Sequence, residues 1–393
     1  MSSNNNIPQL RFPGFTGEWE EKEIEELCNP ISARVKLQSN DYLSEGRYPV
    51  VDQSQSMICG WTNNDNGLML NHPYIIFGDH TCALKYVDFP FIQGADGVKI
   101  LSPQKEYDPR FVYYTIESNP VNQDGYKRHY SDLKEKIFSL PCNIKEQHKI
   151  ADCLSEIDNL IAAQGQKVEV LKEKKRGMMQ QMFPQQGETT PRLRFPGFAG
   201  EWEEKKMSDV FIRRTEKNAE DNKNVLTISA QYGLISQLDF FKKSVSASDV
   251  TGYYLLHKGD FAYNKSSSQG KPVGAIKPLK LYDKGVVSTL YICFRCNDTN
   301  AVGFWEQYFD AGIFDKEIMS IAQEGARNHG LLNVPTSDFF ELIVKTPQPA
   351  EQQKIAECLS AMDDLIASES AKLDALKEHK KGLMQQLFPQ PSK

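Results

Sequence analysis

The chain has 393 residues, 40% hydrophobic and 25% charged, with a net charge of −6; that length exceeds what one hydrophobic core usually serves, so at least two globular domains are expected. No apolar run approaches the roughly 18 to 20 residues of a spanning helix, and residues 1–6 are polar, unlike a secretory leader, so a cytoplasmic protein without a membrane segment is expected. Residues 20–145 hold 13 basic and 18 acidic side chains and residues 203–345 hold 18 of each, which excludes the strongly basic footprint of a protein that grips nucleic acid unaided.

The chain opens on Leu10-Arg-Phe-Pro-Gly-Phe-x-Gly-Glu-Trp19, and this phrase returns at 193–202; over residues 8–22 and 191–205, 13 of 15 positions are identical at an offset of 183. Proline sets φ, glycine relaxes it, and the phenylalanines anchor the segment, so the box reads as a turn. Trp19 and Trp202 are expected to pack into the domains they open.

Residues 24–145 and 210–350 share no convincing similarity. The repeat therefore keeps its connectors and lets its contents differ, the pattern of two modules doing one job on different targets. The eight cysteines are dispersed, and the close pair Cys293 and Cys296 falls in the apolar stretch 286–296, which reads as one strand carrying buried free thiols. No metal site is expected.

Residues 146–185 align without gaps to 351–390 at an offset of 205, with 24 of 40 identical. Apolar residues alternate at spacings of four and three, a heptad seam. The predicted pairing residues are Leu154, Ile157, Ile161, Val168, Leu171 and Met178 in the first copy. Leu359, Met362, Ile366, Leu373, Leu376 and Leu383 answer them in the second. Roughly 37 residues at 1.5 Å each make a helix of about 55 Å, stopped by Phe-Pro-Gln. Each stripe needs a partner, and the other copy, antiparallel, is the expected one. Gln164, Lys175, Glu369 and Lys380 interrupt the seam at equivalent places; they either specify register or loosen the seam for a partner's side chains.

Catalytic signatures do not appear. There is no phosphate-binding loop, since Pro272 follows the lysine of Ser266-Ser-Ser-Gln-Gly-Lys271, and no nucleophile elbow, dinucleotide fingerprint or zinc-protease helix. The seven histidines are scattered. A non-catalytic chain is expected.

The turn box, the phrase Glu351-Gln-Gln-Lys-Ile-Ala-Glu-Cys-Leu359 opening a helix, and Gly259-Asp-Phe-Ala-Tyr-Asn-Lys-Ser266 together resemble the specificity subunit of a type I restriction-modification system, over essentially the whole chain. The resemblance implies an α+β architecture: two globular α/β target recognition domains separated by two long helices that pair as an antiparallel coiled coil with pseudo-twofold symmetry. The expected divisions are 1–145 and 186–350 for the domains, 146–185 and 351–393 for the helices.

It also implies that each domain reads half of a bipartite sequence in double-stranded DNA, while the helices set the spacer and dock two modification (methyltransferase) subunits. S-adenosylmethionine would sit on those subunits, and ATP and Mg on two restriction subunits where these are present; this chain would bind no cofactor. The alternative is a non-catalytic coiled-coil scaffold presenting two domains to protein partners.

Groove readout favours polar and basic side chains on loops. In the first domain the candidates are Gln53, Gln55, His80, Lys85, Tyr126, Lys127, Arg128 and His129; in the second they are Asn264, Lys265, Gln269, Lys271, Arg327, Asn328 and His329.

Overall fold

A computed structural model describes residues 6–125, 127–229, 233–241, 249–267, 271–298, 301–324 and 332–389. They form two compact units, one of Met1–Gln166 with Ser370–Lys393 and one of Lys167–Glu369. The sequence divides the chain by order along it, domain then helix. Compactness divides it through the two long helices, each of which gives one half to each unit.

In the first unit, the strand Glu20–Glu23 that follows the turn box pairs antiparallel with Ile137–Leu140. Between them lie two four-stranded sheets. One runs Cys28–Ile31, Val98–Pro103, Tyr74–Gly78, Leu84–Val87, all antiparallel; the other runs Gly60–Thr62, Tyr48–Val51, Phe91–Gln93, Leu68–Met69 and contains one parallel pair, Val50 beside Ile92. Tyr74–Gly78 is a continuous apolar run buried throughout, as befits a strand covered on both faces. The helix Pro109–Ser118 starts where proline occupies the first turn and the Asp108 carboxylate accepts from the N–H groups of Arg110 and Phe111. It packs Phe111 and Val112 into the core with Trp19, Ile75 and Phe77.

The second unit repeats this order with little of the sequence. Glu203–Lys206 pairs with Ile343–Thr346, and the antiparallel sheet runs Phe211–Arg213, Ile292–Cys296, Phe261–Asn264, Ala275–Pro278. Leu226–Ser229 pairs with Gly233–Ser236, and Tyr254–His257 with Lys284–Val287. A parallel bridge from Val225 to Val286 joins the two pairs, as the parallel strands join the first unit's second sheet. Residues 286–296 are corrected from one strand to the ends of two, Lys284–Val287 and Ile292–Cys296, separated by a turn. Cys293 and Cys296 are buried on the second, where burial pushes the Cys293 thiol up to about 12.

The long helices span Ile144–Met182 and Pro349–Leu387, 39 residues each. Both begin two residues before the repeated block and stop before the Phe-Pro pair. In the first unit, Ile150 and Leu154 from the start of one helix share a core with Met384, Leu387 and Phe388 from the end of the other. In the second, Met179 and Met182 share a core with Ile355 and Leu359. The pairing is therefore antiparallel. Leu154, Ile157, Val168 and Leu359 are buried, and Ile161, Leu171, Met178, Met362, Ile366, Leu373, Leu376 and Leu383 are half-buried. Trp19 and Trp202 are 4% and 3% exposed, each edge-on to the phenylalanine that follows a long helix, Phe388 and Phe183. Among the described residues no helix is long and apolar enough to cross a membrane.

Candidate nucleic-acid interface

The connectors hold each domain through ionic contacts repeated in both copies. Arg11 grips Glu146, the third residue of its helix, with Nε–Oε1 2.8 Å and Nη2–Oε2 2.9 Å; Arg194 grips Glu351 in the same place at 2.7 and 2.8 Å. Both glutamates are 1% exposed. Three of the seam's four polar interruptions, Lys175, Glu369 and Lys380, are ion-paired too. Lys380 Nζ lies 2.9 Å from Glu117 and 2.9 Å from Asp158, and Lys175 Nζ lies 2.6 Å from Asp363. The helix of each domain donates to the same aspartate, by Tyr114 to Asp158 at 2.7 Å and by Gln307 to Asp363 at 2.8 Å. Glu369, 4% exposed, meets Lys167 at 2.9 Å. Of the two readings left open by the sequence, register specification is the one these contacts support.

In the first unit the candidate loops converge. Gln53 Nε2 donates to the Asp96 carbonyl at 3.1 Å, and its Oε1 accepts from the His80 N–H at 3.2 Å; the Thr81 hydroxyl donates to its carbonyl. The His80 ring Nδ1 meets the Lys127 carbonyl at 3.1 Å, so the hairpin turn after Tyr74–Gly78 is tied to the loop before the short helix Tyr130–Lys134. Gly97, at φ 85°, sits so close that a Cβ would fall 2.7 Å from the Gln53 Oε1, a position that requires glycine. Gln55, Lys127 and Arg128 are exposed on this surface, and Gln53 and His80 are half-buried within it.

Two candidates are corrected. Lys85 is 3% exposed and donates to the Asp52 carbonyl at 2.7 Å, with burial holding its ammonium below the usual lysine range. His129 is 0% exposed; its N–H donates to the Asp79 carbonyl at 2.7 Å and its Nδ1 lies 3.0 Å from Asp132. Both support the loops from beneath. Tyr126 lies outside the described residues.

Sequence reasoning missed Asp79, 3% exposed, which ties three loops. Its N–H donates to the Gly97 carbonyl at 2.7 Å, and its Oδ1 accepts from the Tyr130 N–H at 2.9 Å. It also missed Tyr42, whose hydroxyl accepts from the Ala95 N–H at 2.8 Å. Asp79 lies in the polar loop 78–85 without being singled out by it, and no sequence signal points to Tyr42. Two exposed lysines already have acids beside them: Lys127 lies 3.2 Å from Asp132 and Lys36 2.9 Å from Asp96. The His129 and Lys127 hydrogen bonds hold the Asp132 carboxyl below its usual range.

The second unit places its described candidates on the corresponding hairpin turn. Asn264 ends the strand Phe261–Asn264, its Oδ1 accepting from the Ser266 N–H at 3.1 Å, and Lys265 and Lys271 are half-buried in the hairpin turn that follows. Burial lowers the Lys265 ammonium. Gly274 closes the turn at φ 85°, where a Cβ would come 2.0 Å from the Asn264 carbonyl oxygen. The Leu332 N–H donates to the Lys265 carbonyl at 3.0 Å, joining this turn to the segment before the helix Thr336–Glu341. Gln269, Arg327, Asn328 and His329 lie outside the described residues.

Comparison with known proteins agrees with this architecture. Residues 16–173 and 199–378 each match the family described as type I restriction modification DNA specificity domain. The specificity subunit of the type I restriction enzyme EcoR124I/EcoR124II of Escherichia coli is 28% identical over 159 residues, 38% of this chain and 39% of that protein. The MjaVIII specificity subunit of Methanocaldococcus jannaschii is 23% identical over 416 aligned positions, covering 96% of this chain and 93% of that one. The solved S subunit of a type I restriction-modification system from M. genitalium has a similar fold, with a TM-score of 0.60 at 15% identity over 98% of this chain and 100% of that one. The chain belongs to the type I restriction modification DNA specificity family, carries the family's domain twice, and is a specificity subunit that recognises DNA sequence.

Proposed function

We propose that each unit reads one half of a bipartite duplex target with the surface formed by its hairpin turn and the loop before its last short helix. The observation that carries this reading is the recurrence of one junction in two domains of unrelated sequence: His80 to Lys127 in the first, Lys265 to Leu332 in the second. The paired helices, about 58 Å long at 1.5 Å per residue, set the spacing between half-sites and dock two modification subunits. Stiffness suits this role, since half-sites on duplex DNA repeat at about 34 to 36 Å per turn.

The chain itself is non-catalytic and works in the cytoplasm. S-adenosylmethionine belongs to the modification subunits, and ATP with Mg to restriction subunits where the system has them. The salt-bridged lysines and the acidic balance of the first domain fit a reader that borrows phosphate contacts from its partners. Gel shift tests this: weak DNA binding by the chain alone and tight, sequence-specific binding after addition of modification subunit are expected. Tight specific binding by the chain alone would contradict it.

A further inference from the structure

The strand Phe261–Asn264 has the candidate reading turn at one end and, at the other, a cavity of about 770 Å³. Arg214, Lys258, Lys280, Arg295 and His257 line it, together with the carboxylates Glu216 and Asp283. Arg295 is held on the floor by Asp260, which is 0% exposed and takes its Nη2 at 3.0 Å. Lys280 reaches out to Glu306 at 2.8 Å and Arg214 to Glu216 at 3.4 Å. Lys258 has no ion-pair partner within reach among the described residues.

Two buried nitrogens at this site make no hydrogen bond, Arg214 Nε and His257 Nδ1, the second of them 3.9 Å from the Asp260 carboxylate. An unpaired buried donor costs about 1–3 kcal/mol; the Arg214 Nε–H is always a donor and marks a place where an acceptor fits, and the His257 nitrogen joins it in the tautomer that carries its proton there. One wall is Val302, the first residue of the helix Val302–Asp310, whose N-cap Ala301 supplies no capping side chain. The positive end of that helix therefore adds to the field of the cations.

We infer that this cavity in the second unit binds a phosphoryl group, with Arg214, His257 and Lys258 as its donors. The inference stands independently of the reading surface. The four strand residues put the cavity about 13 Å from the turn, so the phosphoryl group belongs either to a free nucleotide or to the duplex backbone beyond the bases being read.

Isothermal titration of the full chain with inorganic phosphate, pyrophosphate, AMP and an unrelated duplex tests it. Lys258 is exposed, so Lys258→Ala leaves the fold intact, and Arg214→Gln removes a cation and an unpaired donor. Saturable binding of phosphate or pyrophosphate is expected, weakened tenfold or more by Lys258→Ala and by Arg214→Gln and unchanged by Lys381→Ala, an exposed cation elsewhere. AMP binding more tightly than phosphate identifies a free nucleotide; competition by duplex but not by AMP identifies the DNA backbone. Absence of saturable phosphate and pyrophosphate binding, or equal weakening by Lys258→Ala and Lys381→Ala, would overturn the inference.

Discussion

Arg11 and Glu146 are 135 residues apart in sequence and meet through two parallel hydrogen bonds of 2.8 and 2.9 Å, with the glutamate 1% exposed. The fork of a guanidinium matches a carboxylate in a way an ammonium does not. The same clamp between Arg194 and Glu351 ties the second turn box to the second helix. Arg11→Ala leaves a buried carboxylate without its partner and is expected to cost about 3–5 kcal/mol, with Arg11→Lys intermediate. Denaturant unfolding of the full chain checks this; an unchanged first transition for Arg11→Ala would mean the clamp does not hold the box.

Lys380 sits between Glu117 and Asp158, and its loss should make stability depend on pH. Burial raises the Glu117 carboxyl above its usual value, and Lys380 opposes that rise. A carboxyl with a raised folded-state pKa favours the folded state fully below its unfolded pKa and loses that contribution as pH climbs through the folded value. In Lys380→Ala the rise is unopposed. The deficit against the parent should therefore be largest near neutral pH and shrink as pH falls into the ordinary glutamate range. Thermal melts between pH 4 and 8, on the order of the range where carboxyls titrate, read the trend; a deficit that grew on acidification would refute the assignment.

Gly97 and Gly274 each hold a left-handed backbone; a Cβ would displace the Gln53 side-chain amide at Gly97 and collide with the Asn264 carbonyl oxygen at Gly274. Alanine at such a position should destabilise by more than about 1 kcal/mol. Because the two glycines shape different surfaces, Gly97→Ala should impair one half-site and Gly274→Ala the other. Mapping modified sites in complexes carrying each variant separates the two effects.

Gln55 and Arg128 are exposed on the first surface, whereas Lys85 and His129 are buried beneath it. Alanine at either exposed residue should relax discrimination at one base pair of the first half-site by about 1–3 kcal/mol. Lys85→Met should lower stability and overall binding without changing which bases are preferred. Competition binding against single-base target variants distinguishes these outcomes.

The connectors were legible because repetition exposes them: a box identical at 13 of 15 positions and a heptad helix copied at a fixed offset need no structure to find. The corresponding seams named each helix's partner; the antiparallel direction was an expectation that the shared cores of Ile150 and Leu154 with Leu387 and Phe388 establish. Inside the domains, sequence ranks side chains by chemistry but not by depth, so Lys85 and His129 stood beside Gln55 and Arg128 as candidates. The shared topology of the two domains was invisible, since strands such as Tyr74–Gly78 and Phe261–Asn264 occupy one place with different residues. The Arg11–Glu146 and Lys380–Asp158 pairs span 135 and 222 residues, distances over which a single sequence carries no pairing signal.

The central claim is that each unit reads its own half of one target. Single-molecule mapping of methylated adenines, in cells that co-express the chain with its modification subunit, tests it directly when residues 20–145 are exchanged for the equivalent domain of another family member. A bipartite motif in which only one half changes and the spacer is kept is the expected result. A change in both halves, or a continuous motif, would contradict the account.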